Sequence, residues 1–205
     1  VYEEEFFLRD GFRWSPDGSK IAFWQLDASG VRDFMMINNT DSLYSYTIPI
    51  QYPKAGETNS ACRVGVVDLA SKDFTWFEPS GDLRNHYIAR MEWALDSKEI
   101  VMQHLNRKQN HIEVIFGNAK TGEMRTVLED RDEAWIDVRD ASRFWINKGK
   151  DFLWISERDG WRHVYRVSRK SGEATLLTVG DYDVARVYET DEKNGWLYFE
   201  ASPDN

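Results

Sequence analysis

The feature that most constrains this chain is a strand–turn–strand outline that returns four times along it. In the first copy Phe12-Arg13-Trp14 ends a strand, Pro16-Asp17-Gly18 reverses the chain, and the run Ile21-Ala22-Phe23-Trp24 leads away. The same order recurs over residues 91–102 around Trp93, over 144–155 around Trp145, and over 187–199 around Asn194-Gly195. After each of the two middle copies a second hairpin follows. One is closed by Lys120-Thr121-Gly122-Glu123 and the other by Lys170-Ser171-Gly172-Glu173. A chain that repeats itself in this way builds its core by stacking like units.

Two hairpins per unit make four antiparallel strands, the content of one propeller blade. The outline therefore predicts an all-β chain, a partial β-propeller of about three to four four-stranded antiparallel blades, with residues 1–205 forming a single domain. A closed ring needs at least about four blades and often more, so an open arc cut from a longer chain is expected. Its two uncovered blade edges would favour self-association of the isolated chain. A β-sandwich is the alternative, since it too is made of short antiparallel strands. The first unit is interrupted between Ile37 and Arg63 by a polar, turn-rich insertion containing Asn38-Asn39-Thr40-Asp41-Ser42 and Tyr52-Pro53-Lys54-Ala55-Gly56.

Composition bounds the function. Nine Trp, nine Tyr and eleven Phe supply enough bulky apolar surface for a packed core. A net charge of -9 and a pI of about 5.0, with no basic stripe, argue against nucleic acid and anionic membrane surfaces as partners. No apolar stretch has the length of a membrane span. Cys62 is the single cysteine; set among Val64, Val66 and Val67, it reads as a buried structural thiol. His86, His104, His111 and His163 lack metal-ligand spacing, and no C-x-x-C, P-loop or dinucleotide fingerprint is present, so no cofactor is expected. There is also no G-x-S-x-G nucleophile elbow, so the chain is expected to carry no catalytic triad.

The run Glu3-Glu4-Glu5 stands out beside Tyr2 and Phe6-Phe7. Glu favours helix, and the aromatic pair would anchor a short acidic helix on apolar surface. Such a run is either a solvated helix end or, held rigidly, a clamp for a cationic group such as a peptide's α-ammonium, each charge-assisted hydrogen bond contributing about 1.5–3 kcal/mol.

Three linked places resemble the dipeptidyl peptidase IV family: Val1-Tyr2-Glu3-Glu4-Glu5 leading to Trp14-Ser15-Pro16-Asp17-Gly18, then Tyr52-Pro53-Lys54-Ala55-Gly56-Glu57-Thr58-Asn59, then Glu157-Arg158-Asp159-Gly160-Trp161-Arg162-His163. The resemblance implies a propeller capping a C-terminal α/β-hydrolase domain that supplies the serine nucleophile, and a short helix whose paired glutamates grip the substrate's free amine. Carried over residue by residue, that pair is Glu4 and Glu5, with Glu3 facing elsewhere. The implied activity is release of X-Pro or X-Ala dipeptides from peptide N-termini. The implied partners are peptides with a free N-terminus, the hydrolase domain of the same protein, and further copies of the chain. Loops in the part of the propeller holding the insertion contribute to subunit contacts in the family, although Pro and Gly also simply shape a loop there. The family is largely periplasmic, secreted or membrane-anchored, with cytosolic relatives, and the sequence leaves the compartment open. Trp161 and His163 read as packing residues beside an Asp-Gly turn. Residues 135–140 fall where the family places pocket-rim groups, but a one-residue change of spacing leaves Arg139 without an assigned site. The rivals are a non-enzymatic propeller serving as an interaction scaffold, and a propeller peptidase that does not read a free amine.

Overall fold

The computed structural model describes residues 2–138 and 145–202. Among these residues, sixteen strands form three four-stranded antiparallel sheets and two hairpins. The first sheet has the order β1 (Phe12–Trp14), β2 (Lys20–Asp27), β5 (Ala61–Asp68), β6 (Phe74–Phe77). Between β2 and β5 the chain makes a separate hairpin, β3 (Asp33–Asn38) with β4 (Tyr46–Gln51). The second sheet runs β7 (His86–Trp93), β8 (Glu99–Asn106), β9 (His111–Asn118), β10 (Met124–Arg131). The third runs β11 (Trp145–Ile146), β12 (Asp151–Ser156), β13 (His163–Ser168), β14 (Ala174–Leu176). The last hairpin pairs β15 (Asp183–Asp191) with β16 (Trp196–Ser202). This is the blade plan of a partial β-propeller.

The recurring Lys-Thr/Ser-Gly-Glu turn has a physical basis. Asp68, Asn118 and Ser168 each end the third strand of a blade, and their side-chain oxygens accept backbone N–H bonds from two or three residues on. The N–H of residue 72, 122 or 172 then closes on the carbonyl of that same strand-ending residue. Closure requires left-handed backbone, with φ +68° at Lys72, +77° at Gly122 and +74° at Gly172. The first blade makes the same turn without glycine, at a local cost of roughly 1–2 kcal/mol.

Indole groups join the blades. Trp24 Nε1 donates to the Ile88 carbonyl at 2.9 Å, Trp93 Nε1 to the Arg13 carbonyl at 3.1 Å, and Trp154 Nε1 to the Asp130 carboxylate. Arg13 adds an ion pair to Glu92 at 2.6 Å, and Arg169 one to Glu99 at 2.6 Å. Phe77, Phe116, Met91, Met102 and Ile100 are fully buried in the core that runs between the blades. Burial of each such side chain is worth about 1.5–3 kcal/mol.

Two expectations need correction. The short acidic helix is not formed: residues 2–6 make turns, closed by a Leu8 N–H bond to the Tyr2 carbonyl at 2.9 Å. Phe7 follows at φ +53°, which no right-handed helix continues. Three adjacent carboxylates repel one another, and a segment this short cannot offset the cost of helix nucleation. The insertion, read as turn-rich, holds strand β4, which pairs back on β3 just before it, with register from Asp33↔Gln51 to Asn38↔Tyr46. Tyr46, Ile48 and Ile50 alternate along β4, and Pro49 pairs opposite Met35 in a hairpin that, among the described residues, stays two-stranded.

Candidate functional site: an acidic turn on one edge of the arc

The sites of interest share one edge of the arc, and topology puts them there. Strand β2 ends at Asp27 where β5 and β7 begin, and the loop before β7 closes this edge: Arg84 donates to the carbonyls of Asp27 and Asn59, and Cys62 N–H to the Leu83 carbonyl. The base of the β3–β4 hairpin arrives at the same edge, where Arg107 donates to the Glu57 carbonyl at 2.8 Å. The turn joining β8 to β9 lies there, as does the segment after β10, since Ile136 N–H reaches the Gln109 carbonyl at 2.8 Å.

The acidic turn sits on this edge. Tyr2 and Phe6 are buried while Glu3, Glu4 and Glu5 are exposed. The rings of Tyr2 and Phe6 meet each other and Tyr87 of β7 in a triangle of edge contacts, with centroids 5.8, 6.0 and 5.4 Å apart. Such contacts are worth about 0.5–1.5 kcal/mol each beyond their buried area. Burial pushes the Tyr87 hydroxyl above its usual range; Arg107 opposes that rise and the Glu5 carboxylate adds to it. Beneath the turn, burial drives the Tyr2 hydroxyl well up, with the Cys62 thiol adding, and Cys62 itself is pushed up to about 11. That thiol is buried and protonated at neutral pH, as its sequence context implied. The two buried aromatics, Tyr2 and Phe6, flank the run and leave its three carboxylates facing outward. Glu4 and Glu5 are neighbours in this run, beside Phe6.

Further along the edge is a small, shallow cleft lined by Asp130, Trp135, Trp154, Glu157, Arg158 and Arg162, among others. At its wall Arg158 Nε donates to Asp130 at 2.9 Å and its Nη2 to the same carboxylate and to the Glu129 carbonyl, while its guanidinium lies 5.3 Å from the Tyr165 ring centre. Asp130 was not singled out from sequence, because Glu129-Asp130-Arg131-Asp132 reads as a solvated charge run. Only the alternation along β10, which turns Asp130 inward with Leu128, marks it. The Asp-Gly turn is found where expected, with Gly160 at φ +97° and its N–H on the Glu157 carbonyl. His163 packs edge-on against Tyr182 at 5.8 Å and its Nδ1 meets Asp159 at 2.8 Å. Burial works against the Asp159 charge, but the bonds to His163 and Tyr165 hold its carboxyl below the usual range. Trp161 is half-buried. Among the described residues no three His, Cys, Asp or Glu side chains are grouped to hold a metal ion. Arg139 lies outside the described residues.

The chain matches the sequence profile described as the dipeptidyl peptidase IV (DPP IV) N-terminal region over residues 1–205. It is 29% identical to the mouse protein named inactive dipeptidyl peptidase 10, covering 99% of this chain and 27% of that one. It is 27% identical to a probable dipeptidyl peptidase 4 of Aspergillus flavus, covering 97% and 28%. The crystal structure of Porphyromonas gingivalis dipeptidyl peptidase 4 superposes with a TM-score of 0.86 at 28% identity, covering 98% of this chain and 28% of that one. The chain therefore spans little more than a quarter of the length of these relatives. With its blades, the profile match over the whole chain and the superposition all in agreement, the chain belongs to the dipeptidyl peptidase IV family, within the N-terminal propeller region.

Proposed function

We propose that this chain is the amine-reading part of a serine dipeptidyl peptidase that releases X-Pro or X-Ala dipeptides from peptide N-termini, with Glu4 and Glu5 as the clamp on the substrate's α-ammonium. The observation that carries this is the acidic turn, whose buried Tyr2 and Phe6 leave adjacent carboxylates exposed on a rigid base. A fixed pair of anions at one depth of a cavity acts as a ruler. It binds a charged amine and is left without its counter-ion when the N-terminus is blocked or too far away. The chemistry would come from Ser, His and Asp of an α/β-hydrolase domain elsewhere in the parent protein. In that protein the arc of blades would be one part of a larger ring.

Since one relative is named as inactive, the parent's activity has to be measured directly. The experiment compares chromogenic X-Pro amides with a free and an N-acetylated amine. Release from the free amine alone is the expected result. Equal rates on both would favour a peptidase that does not read the amine, and no release from either would favour an interaction scaffold.

A second reading concerns the β3–β4 hairpin, which we propose as a contact between copies of the parent protein. Both of its faces carry large exposed apolar groups: Phe34, Met35, Met36 and Ile37 on one strand, Ile48 and Ile50 on the other. Such a patch on a chain of net charge -9 marks an interaction surface. The double change Met35→Glu, Ile37→Glu is expected to shift the parent from dimer to monomer in light scattering. An unchanged mass would remove the hairpin from the interface.

A further inference from the structure

We propose that Arg90 is the positioning residue of the acidic turn, aimed at it by a β-bulge in the neighbouring blade. The inference rests on the clamp reading of Glu4 and Glu5 and adds what sets their geometry.

The bulge is visible in the pairing of β7 with β8. Ile88 faces His104 and Arg90 faces Gln103, so Ala89 has no partner of its own. In an unbroken strand Tyr87 and Arg90, three residues apart, would point to opposite faces. One inserted residue returns them to the same side. Both then engage the acidic turn. Tyr87 packs its ring on Phe6 and Tyr2, and Arg90 Nη1 donates to the Phe6 carbonyl at 2.7 Å. The same nitrogen reaches the carbonyl of the bulged residue, Ala89, at 2.7 Å, which ties the guanidinium to the bulge itself. The adjacent Ile88 carbonyl takes the Trp24 indole N–H, so the distorted backbone is braced from the first blade as well.

The consequence for the clamp is specific. Phe6 directly follows Glu5, and Phe7 directly after it is in left-handed backbone. The end of the acidic turn is therefore strained, and its last carbonyl is fixed by a charged donor from another blade. A half-buried, charge-assisted bond of this kind is stronger than one between neutral groups. Arg90 also brings a positive charge to the base of three adjacent carboxylates, offsetting part of their repulsion without occupying their outward face. Removing it frees the Phe6 carbonyl and lets the glutamates leave the depth at which they meet the ammonium. Arg90 touches neither substrate nor the reacting atoms, so its effect falls on binding of the amine.

The test uses the full-length parent with a free-amine X-Pro amide, and compares Arg90→Met and Arg90→Lys with wild type. Labelling of the nucleophilic serine by a phosphonate that lacks an amine reports the integrity of the hydrolase domain. Arg90→Met is expected to raise KM about 10-fold, with kcat changed less than 3-fold and the labelling rate unchanged. Arg90→Lys, which keeps the charge and one donor, is expected to recover most of the loss. On a Glu4→Gln, Glu5→Gln background, Arg90→Met should add less than 2-fold, because the groups it positions are already disabled. Wild-type KM in Arg90→Met alongside damaged single glutamate variants would overturn the positioning role and leave the clamp standing. Silent glutamate variants would remove the clamp and Arg90's role together. A full further 10-fold loss on the double-glutamate background, or slowed serine labelling, would show that Arg90 acts on the fold instead.

Discussion

Replacing Asp130 with Ala is expected to destabilise the propeller by about 3 kcal/mol, the low end of what breaking a buried ion pair costs. The Asp130 side chain is only 10% exposed and receives three donors: Nε and Nη2 of Arg158 and the indole N–H of Trp154. Trp154 belongs to β12 and Asp130 to β10, so the carboxylate joins the second blade to the third. Without it, the indole N–H in the core loses its acceptor, and the guanidinium keeps only the Glu129 carbonyl and the Ser156 hydroxyl. Arg158 is 29% exposed and recovers part of its hydration, which is why the low end applies. Asp130→Asn keeps an acceptor for the indole and is expected to cost less. Calorimetry of the parent should show the propeller transition of Asp130→Ala lowered by roughly 6–12 °C, at about 2–4 °C per kcal/mol for a domain of this size. A shift under 2 °C would mean that the pair is not holding the blades together.

Gly172→Ala should be comparably severe, for a different reason. Gly172 has φ +74°, and a Cβ built there would lie 1.9 Å from the Val127 carbonyl oxygen of the neighbouring blade. Val127 occupies the irregular stretch of β10 between Thr126 and Leu128, so the turn of the third blade nests into a bulge of the second. The added methyl group therefore meets backbone, which cannot rotate away as a side chain would. The left-handed conformation alone costs an alanine roughly 1–2 kcal/mol, and displacing the blade adds at least about as much again. Gly122→Ala is the internal control. Its φ is +77°, but the nearest backbone atom to its Cβ, the Trp76 oxygen, is 3.2 Å away. The expected order of melting temperature is wild type, then Gly122→Ala, then Gly172→Ala, with the second gap at least as large as the first. Equal losses at both glycines would refute the contact at Val127.

The blades were legible in the sequence because their determinants are local. Pro16-Asp17-Gly18 and the two Lys-Thr/Ser-Gly-Glu turns state the backbone they need, and the alternation beside them states which face is covered. What escaped was decided between segments. The acidic run favoured helix by propensity, yet the packing of Tyr2 and Phe6 against Tyr87 and a left-handed Phe7 made it a turn. The strand Tyr46–Gln51 lay inside a segment read as turn-rich, and Pro49 is tolerated in it because the hairpin is two-stranded among the described residues. Asp130 and Arg90 were not singled out by any local motif. Asp130 gains its role from donors in another blade, and Arg90 from a bulge that no residue type announces. The glutamates of the proposed clamp were visible as a motif, and of the aromatic pair expected to anchor them only Phe6 is buried, with Tyr2, while Phe7 is exposed.

The central claim, that Glu4 and Glu5 read the free amine, is tested most directly by the kcat/KM of the parent protein on a free-amine X-Pro amide, with Glu4→Gln and Glu5→Gln each compared with wild type. Each change keeps the shape and removes one charge, so a loss of roughly 10–100-fold is expected, the worth of one charge-assisted contact. An active parent whose kcat/KM is unmoved by either change would contradict the account.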